Sequence, residues 1–454
     1  MGGTKLTVAG VSPARACAFA VVRRVFEHGA YADRAFAAES EGLVARERSL
    51  AMTLVYGTVQ RRATLDYVAG RLCNRPLESL EPGALAALRL GILQLLFLDG
   101  IAEHAAVHES VELAKRNTRG GAGLVNAVLR RAAREGNGML ASLSDETPAG
   151  AATLHSVPQW LAELWWRELG AEQARALLAH INEPAESAIR VNTLVASRDA
   201  VIAELPVPAR TVTELPEALV LDAPFDVRGS ELFERGAIMA QARGSMLAGR
   251  ALAPAPGARV LDLCAAPGAK ATQLAALIED RGELLAVERH PGRAAAMRET
   301  LARMHVSCAR VQVGDAAVFG DPDRYDAVLI DPPCSGLGTL QSRPDLRWRT
   351  NPERIAALTT LQGRILRAGA NATAPGGVLV YSVCTISAAE GVGVVESLLR
   401  ERDDFEPEDL SPILPAAAVG RFLQTLPNRD GTDGFFVARL RRKFADGGGV
   451  SLKL

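Results

Sequence analysis

The sequence lacks any pair of cysteines at the spacing of a metal or redox motif. Disulfide-stabilised secreted domains and structural zinc sites both need a denser and more regular cysteine framework. We therefore expect free thiols, most of them buried, and no metal site. The six cysteines contain no CxxC pair and stand at Cys17, Cys73, Cys264, Cys308, Cys334 and Cys384.

Long apolar runs and a charge imbalance are also missing. No stretch of about 18 uncharged apolar residues occurs, which excludes a membrane-spanning helix. The apolar segment near the N-terminus, Ala16 to Val22, is short and flanked by arginines, unlike a secretory signal. The formal net charge is −1, so a nucleic-acid site would have to be a local basic patch. We predict a cytoplasmic protein with no membrane partner.

What is present is the composition of a folded multidomain protein. The chain has 454 residues, of which 48% are hydrophobic and 23% charged, and a length of about 150 residues per domain suggests three domains. The patterning predicts a helical domain over 1–145, a small α+β module over 146–236, an α/β domain over 237–445 and a flexible tail over 446–454.

The first region has apolar residues at helical spacing. One stripe of the segment GALAALRLGILQLLFLDG predicts an amphipathic helix. Arginines and lysines dot the polar faces of this region, and they form either a solvated surface or a patch that faces phosphates. The stripe consists of Leu85, Leu88, Ile92, Leu95 and Leu96.

In the third region, strand-length apolar runs alternate with amphipathic helical segments. This alternation predicts a mostly parallel, doubly wound sheet that is covered by helices on both faces. A final apolar run, GFFVARL, supplies a last strand.

Four acidic residues follow predicted strands of this domain: Asp262, Glu288, Asp315 and Asp331. The carboxyl ends of the strands form the edge at which open α/β sheets bind ligands. Between the first strand and its helix, the small-residue loop CAAPGAK lets a ligand approach the backbone closely. It has neither the GxGxxG nor the GxxxxGK[ST] spacing. An adenosine-containing ligand with a positive centre fits this set, and Asp262 can take its amine.

Two cysteines follow the fourth and fifth strands, Cys334 in DPPCSG and Cys384 in YSVCT. Neighbouring strands lie about 4.8 Å apart, so both thiols can face one pocket. A single free cysteine is more often buried filler. Two at matched positions beside an acid indicate chemistry, because a thiolate that adds to C6 of a cytosine makes C5 nucleophilic. Which thiol attacks is not decided by the residues alone.

The segments CAAPGAK, DPPCSGLGTLQSRPDLRW and YSVCT, with the closing DGFF, resemble those of the RNA cytosine-C5 methyltransferases that use S-adenosylmethionine (SAM). The helical region, with LRLGILQLLFL, HAAVHESVELAKR and GLVNAVLR, is similar to the NusB-like RNA-binding domain of their Sun/Fmu (RsmB) branch. This resemblance implies an all-α NusB-like domain, a Rossmann-like methyltransferase domain and 16S ribosomal RNA as the partner.

The resemblance also implies the role of each site residue. Cys384 would be the nucleophile, Cys334 would assist product release, and Asp331 would lie where cofactor and base meet. Glu288 would bind the ribose and Asp315 would lie beside the adenine. Lys270 matches the lysine of the family motif, where a partner role for Asp331 suits it better than the role of a base. The loop that holds the methionine part of SAM would be Cys264, Ala265, Ala266, Pro267, Gly268, Ala269 and Lys270.

The chain departs from the family pattern at several positions. Ala269 and Ala271 replace a glycine and a threonine of the loop, and a methyl group at Ala269 would crowd the cofactor if its φ were positive. Val383 replaces a threonine before the nucleophile, Ala242 an aspartate, and Gly391 an asparagine. Since both cysteines and all strand-end acids are present, we expect an active enzyme.

Two other features have more than one interpretation. His104 and His108 are four residues apart, as in some metal sites, but with no third ligand nearby they are expected to be structural. The segment from Ser342 to Arg349 interleaves arginines with Trp348, which suits RNA contact or ordinary loop packing.

The leading hypothesis is a monomeric SAM-dependent enzyme that forms 5-methylcytosine in 16S ribosomal RNA. Three alternatives remain at this point. They are a transfer RNA cytosine-C5 methyltransferase, an exocyclic-amine methyltransferase that uses the DPP motif without a thiol, and a non-catalytic RNA-binding or ribosome-assembly factor.

Overall fold

The computed structural model describes residues 10–412 and 421–444. The predicted tail over 446–454 lies outside the described residues. The chain forms two compact units, one of residues 1–183 with 340–351 and one of residues 184–339 with 352–454. The domain boundaries drawn from the sequence stay a prediction.

Between residues 10 and 183, the structure shows ten α-helices and one single-turn 3₁₀ helix (Leu77–Ser79). The α-helices are α1 (Pro13–His28), α2 (Ala32–Glu39), α3 (Ala45–Gln60), α4 (Arg62–Leu72), α5 (Pro82–Leu96), α6 (Glu103–Asn117), α7 (Ala122–Ala141), α8 (Pro148–Leu154), α9 (Gln159–Leu169) and α10 (Ala171–His180).

Helix α5 lies at the centre of the helical core. Nearly every residue from Gly83 to Gln94 is buried, because other helices surround it. Helix α7 packs closely against α5 at Gly91, where an added Cβ would lie 2.6 Å from the Leu129 methyl groups. Proline begins α1, α5 and α8, where its missing N–H costs no hydrogen bond.

A small antiparallel sheet with the strand order β2-β3-β1-β4 begins the second unit. Its strands alternate with short helices, and this arrangement confirms the predicted α+β module. The elements are β1 (Ala188–Val191), α11 (Arg198–Glu204), β2 (Ala209–Thr211), β3 (Ala218–Leu221), α12 (Glu231–Glu234) and β4 (Ile238–Ala240).

The described chain after β4 forms an α/β domain, apart from α16, which lies in the helical unit. In chain order, the elements of this part of the chain are α13 (Arg243–Leu252), β5 (Arg259–Asp262), α14 (Ala269–Leu277), β6 (Glu283–Glu288), α15 (Pro291–Arg303), β7 (Ala309–Val313), a 3₁₀ helix (Ala316–Val318), β8 (Tyr325–Ile330), α16 (Leu346–Arg349), α17 (Pro352–Ala372), β9 (Thr373–Val383), α18 (Val392–Glu401), β10 (Phe405–Pro407), β11 (Leu423–Gln424), α19 (Pro427–Asp430) and β12 (Phe436–Arg442).

The large sheet is mostly parallel and has the order β10-β12-β9-β8-β5-β6-β7, with β11 paired to β12. Strands β5 to β9 are parallel, and β12 joins β9 antiparallel. Successive residues of β8 enter two different cores. Ala327 and Leu329 pack with α13, α14 and α15, whereas Val328 and Ile330 pack with α17 and α18. Burial on both faces explains the continuous apolar runs and confirms the predicted doubly wound α/β class.

Candidate active site

The predicted site residues follow the carboxyl ends of five adjacent parallel strands. Asp262 ends β5 and Glu288 ends β6, while Asp331 and Cys384 directly follow β8 and β9. Asp315 comes two residues after β7. Because parallel strands end at one edge of the sheet, the topology brings these groups to the same edge, as expected from the sequence.

The loop between β5 and α14 is shaped for close approach by a ligand. Gly268 is the N-cap of α14 with φ +102°, and a Cβ there would lie 3.1 Å from Cγ of Met297. Ala269 is the first residue of α14 and is not among the residues with positive φ. The condition under which the Ala269 methyl would crowd the cofactor is therefore not met, since Gly268 takes the left-handed conformation.

Asp262 is a deeply buried carboxylate at the end of β5. It is 1% exposed, and neither carboxylate oxygen accepts a well-formed hydrogen bond from a described residue. Burial, and then the charge of Asp331, raise the pKa of Asp262 to about 7, although Lys270 and the nearby Cys264 N–H act in the opposite direction. A ligand ammonium group would satisfy this carboxylate, so the site fits the methionine amine of SAM.

Glu288 is held beside the loop by Arg293, a residue that sequence reasoning missed. One oxygen of Glu288 accepts the His290 N–H at 2.8 Å, and the other lies 3.3 Å from Nη1 of Arg293. Nη2 of the same arginine donates to the Ala266 carbonyl at 2.7 Å. A basic residue in the helical turn that follows a strand-end acid was the available signal. Asp315 caps the following 3₁₀ helix by accepting the Ala317 N–H at 3.0 Å.

Lys270 and Asp331 form a close ion pair. Nζ of Lys270 donates to Oδ2 of Asp331 at 2.6 Å and lies 5.4 Å from the centre of the Phe435 ring. Burial by itself would lower the pKa of Lys270, but the charge and the hydrogen bond of Asp331 outweigh it, so the pKa is raised. The raised pKa favours the protonated form of Lys270, which suits a partner of Asp331 better than a base.

The two cysteines predicted to share a pocket are in contact. Their sulfur atoms are 3.3 Å apart, and both side chains are partly exposed. The hydrogen bond with Cys384, followed by burial, raises the pKa of Cys334 well above its ordinary value. Either sulfur can be the donor of the hydrogen bond that joins the two side chains.

A buried polar cluster that the sequence did not reveal lies behind the two thiols. It is centred on Glu390, which is fully buried and accepts hydrogen bonds from three side chains and one backbone N–H. The signal that the sequence offered for Glu390 was its position a few residues after Cys384.

The segment from Ser342 to Arg349 packs within the helical unit. Arg347 is fully buried and donates to the carbonyl oxygens of Gln60 and Ser156 at 3.2 and 3.0 Å. Nε1 of Trp348 donates to the Val59 carbonyl at 2.7 Å. These contacts support loop packing for Arg347 and Trp348, and they contradict the interpretation that these two side chains contact RNA.

Three of the residues that depart from the family pattern lie at helix starts or in the core. Ala242 is the N-cap of α13, where it provides no capping oxygen. Gly391 is the N-cap of α18, and a Cβ there would lie 3.0 Å from Cγ of Phe436. Val383 is fully buried.

The described residues contain no group of three or more side chains that could bind a metal ion, and His104 and His108 are both exposed. Within residues 10–412 and 421–444, no helix combines the length and hydropathy that a membrane span requires.

Three family models match successive parts of the chain. The model of the 16S rRNA methyltransferase RsmB/F covers residues 249–441, and that of the NusB family covers residues 12–134. The ferredoxin-like domain of RsmF/B-like methyltransferases matches residues 157–228.

Curated relatives match over most of their length. The chain is 34% identical to the probable ribosomal RNA small subunit methyltransferase B of Bacillus subtilis, over 89% of this chain and 93% of that protein. It is 37% identical to the ribosomal RNA small subunit methyltransferase B of Thermus thermophilus, over 87% of this chain and 89% of that protein.

Solved structures share the fold. The structure of PH0851 superimposes with a TM-score of 0.80 at 25% identity, covering 97% of this chain and all of that one. NSun6 from Pyrococcus horikoshii, crystallised with SFG, gives a TM-score of 0.59 at 24% identity over 64% of this chain and 99% of that one. The chain therefore belongs to the 16S rRNA methyltransferase RsmB/F family and is an RNA methyltransferase that uses S-adenosylmethionine.

Proposed function

We propose that this enzyme methylates C5 of a cytosine in 16S ribosomal RNA through a covalent adduct between Cys384 and C6 of the base. The observation that carries the proposal is the pair of sulfur atoms 3.3 Å apart, beside the ion pair of Lys270 and Asp331. An enzyme that methylates an exocyclic amine has no need of a thiol. The names of the relatives and the NusB family match support a ribosomal RNA substrate.

We assign the nucleophile to Cys384 because the segment YSVCT resembles the one that carries the nucleophile in the family, and because the raised pKa of Cys334 disfavours its thiolate. The thiolate of Cys384 forms a bond to C6, and the electron pair of the C5=C6 double bond makes C5 nucleophilic. SAM supplies an electrophilic methyl group on a sulfonium centre. As C5 takes this methyl group, the bond from the methyl carbon to the sulfonium sulfur breaks and its electron pair stays on that sulfur. C5 then carries both the new methyl group and its original hydrogen.

Product release needs the C5 proton to leave. As a base removes this proton, the C5=C6 double bond forms again, and the C6–S bond breaks with its electron pair returning to Cys384. Cys334 lies in contact with the departing sulfur and can return a proton to it. Loss of Cys334 should therefore trap the adduct, whereas loss of Cys384 should prevent it.

The remaining site residues would hold the cofactor. Asp262 would bind the methionine ammonium group, and Glu288 and Asp315 would contact the ribose and the adenine. The loop from Cys264 to Lys270 would surround the methionine part. Asp331, which Lys270 keeps in place, would lie between the cofactor and the base. We also propose that the enzyme acts as a monomer in the cytoplasm, where ribosomal RNA is found.

The test uses small-subunit ribosomal RNA containing 5-fluorocytidine, whose C5 cannot release a proton. We expect a denaturation-resistant adduct with the enzyme and SAM. It should disappear in Cys384→Ala, and it should persist in Cys334→Ala and in the matched control Cys17→Ala, which removes a thiol of the helical core. Absence of an adduct despite measured binding of SAM and RNA would contradict the covalent mechanism.

A further inference from the structure

Glu390 lies in the turn between β9 and α18 and is buried without a basic partner at hydrogen-bond distance among the described residues. Its oxygens accept hydrogen bonds from the Ser335 N–H at 2.8 Å, the Ser335 hydroxyl at 2.5 Å and the Thr385 hydroxyl at 3.3 Å. Nε2 of Gln362 donates at 3.0 Å. Removal of the carboxylate would leave several buried donors without an acceptor.

Two of these donors, Ser335 and Thr385, belong to the chain segments that carry the two thiols. Ser335 follows Cys334, and Thr385 follows Cys384. The two hydroxyl groups are also 2.8 Å apart. One carboxylate is therefore bonded to the residues directly after both cysteines.

Further contacts fix the carboxylate and the segments around it. Nε2 of Gln362, on α17, also donates to the Pro333 carbonyl at 3.0 Å, directly before Cys334. The buried Tyr381 hydroxyl donates to the Glu390 carbonyl at 2.7 Å. The cluster is thus anchored in the core, and its bonds end at the two cysteine segments.

We propose that Glu390 is a positioning residue that sets the distance between the Cys334 and Cys384 sulfurs through Ser335, Thr385 and Gln362. It has no contact with the reacting atoms and acts through these neighbours. This inference rests on the proposed function, in which the two thiols work together. The negative charge of Glu390 adds to the hydrogen bond with Cys384 and to burial in keeping Cys334 protonated.

The first measurement reports the spacing of the Cys334 and Cys384 thiols and needs neither RNA nor cofactor. Dibromobimane alkylates thiols through two arms and cross-links only thiols that lie close together. The ratio of cross-linked to singly alkylated Cys334 and Cys384 peptides, obtained by mass spectrometry, reports their spacing. We expect this ratio to fall at least about fivefold in Glu390→Ala and less in Glu390→Gln, since an amide keeps one acceptor oxygen. Glu396→Gln, an exposed change on α18, should leave it unchanged.

The second measurement compares kcat, SAM affinity and the KM for RNA between the variant and the wild type. A displacement of about 1 Å at a reacting group can cost on the order of 100-fold in rate. We expect kcat of Glu390→Ala to fall by about that factor, with SAM affinity and the KM for RNA within about twofold of the wild type. A merely structural role would weaken SAM binding and raise the KM for RNA at the same time as it lowers kcat.

A folded Glu390→Ala variant with the wild-type cross-link ratio would overturn the proposal. If Glu390→Ala does not fold, Ser335→Ala decides, because it removes one hydroxyl from the cluster. A lower ratio in that variant supports the proposal, and a wild-type ratio overturns it. The cross-link needs no methyl transfer, so failure of the covalent mechanism in the 5-fluorocytidine assay is distinguishable from failure of this inference.

Discussion

Replacement of Asp262 by asparagine tests how the chain holds the charged end of its cofactor. The carboxylate is buried at the end of β5 and accepts no well-formed hydrogen bond from the described residues. We expect Asp262→Asn to stabilise the ligand-free protein at neutral pH and to weaken SAM binding. The two effects have opposite signs because a buried charge is unfavourable until a cation pairs with it.

The pH dependence of stability follows from the raised pKa. Asp262 has a pKa of about 7 in the folded protein against 3.8 for the ordinary group. The folded state thus binds the proton more tightly than the unfolded state. The resulting stability is fully present below a pH of about 4 and is lost as the pH rises through about 7. A shift of about three units corresponds to about 4 kcal/mol of unfolding free energy at pH 8.

SAM binding should have the opposite pH dependence, because the ammonium group pairs with the ionised carboxylate. Below a pH of about 7, wild-type affinity should fall roughly tenfold per pH unit. At pH 7.5, loss of a hydrogen bond to a charged group costs about 1.5 to 3 kcal/mol, which predicts binding by Asp262→Asn that is weaker by about 10- to 150-fold.

Two assays check these expectations. Isothermal titration of SAM between about pH 5.5 and 7.5 gives the dissociation constants, and urea unfolding without ligand gives the stability. Asp199→Asn, a change at an exposed carboxylate, is the matched control. A wild-type affinity that does not change with pH, or an Asp262→Asn variant that binds SAM normally, would refute the assignment of Asp262 as the ammonium partner.

Three further predictions concern single positions. Ala242→Asp should raise the unfolding free energy by about 1 kcal/mol, because its carboxylate can cap the Ser245 N–H of α13; Ala242→Val, measured by the same urea unfolding, should give no such gain. Gly268→Ala should weaken SAM binding in titration calorimetry, since φ is +102° and the new methyl would meet Met297, whereas Gly292→Ala, with open space around its Cβ, should bind normally. Arg347→Met should lower the melting temperature of the helical unit, because buried carbonyl groups that cost about 1 to 3 kcal/mol each lose their donor, whereas Arg343→Met, at an exposed position, should melt like the wild type.

The sequence was sufficient for the fold class because local patterns determine it. Alternation of apolar strands with amphipathic helices allows few arrangements other than a covered parallel sheet, and the strand ends then place Asp262, Asp331 and Cys384 at one edge. The loop from Cys264 to Lys270 was equally visible, since small residues between a strand and a helix indicate close approach by a ligand.

Contacts between distant parts of the chain could not be predicted from local sequence patterns. The positive φ at Gly268 and not at Ala269 depends on how the loop joins α14. The destination of Arg347 depends on carbonyl groups nearly 200 or more residues away in the sequence. A hydrophobic period carries no information about such distant partners. The pattern of this arginine-rich segment therefore suited RNA contact, although the structure places Arg347 in the core of the helical unit.

The sequence by itself was enough to identify the two thiols and the strand-end acids and to predict the topology that brings them to one edge of the sheet. Residue type and hydrophobic period are local properties, which is why they can be read without the folded structure. The tertiary structure decided that the two sulfurs lie 3.3 Å apart, that the contact with Cys384 and burial raise the pKa of Cys334, and that the buried Asp262 carboxylate accepts no well-formed hydrogen bond from the described residues. These properties arise from burial and from hydrogen bonds between segments about 30 to 60 residues apart, and they exist only once the chain has folded.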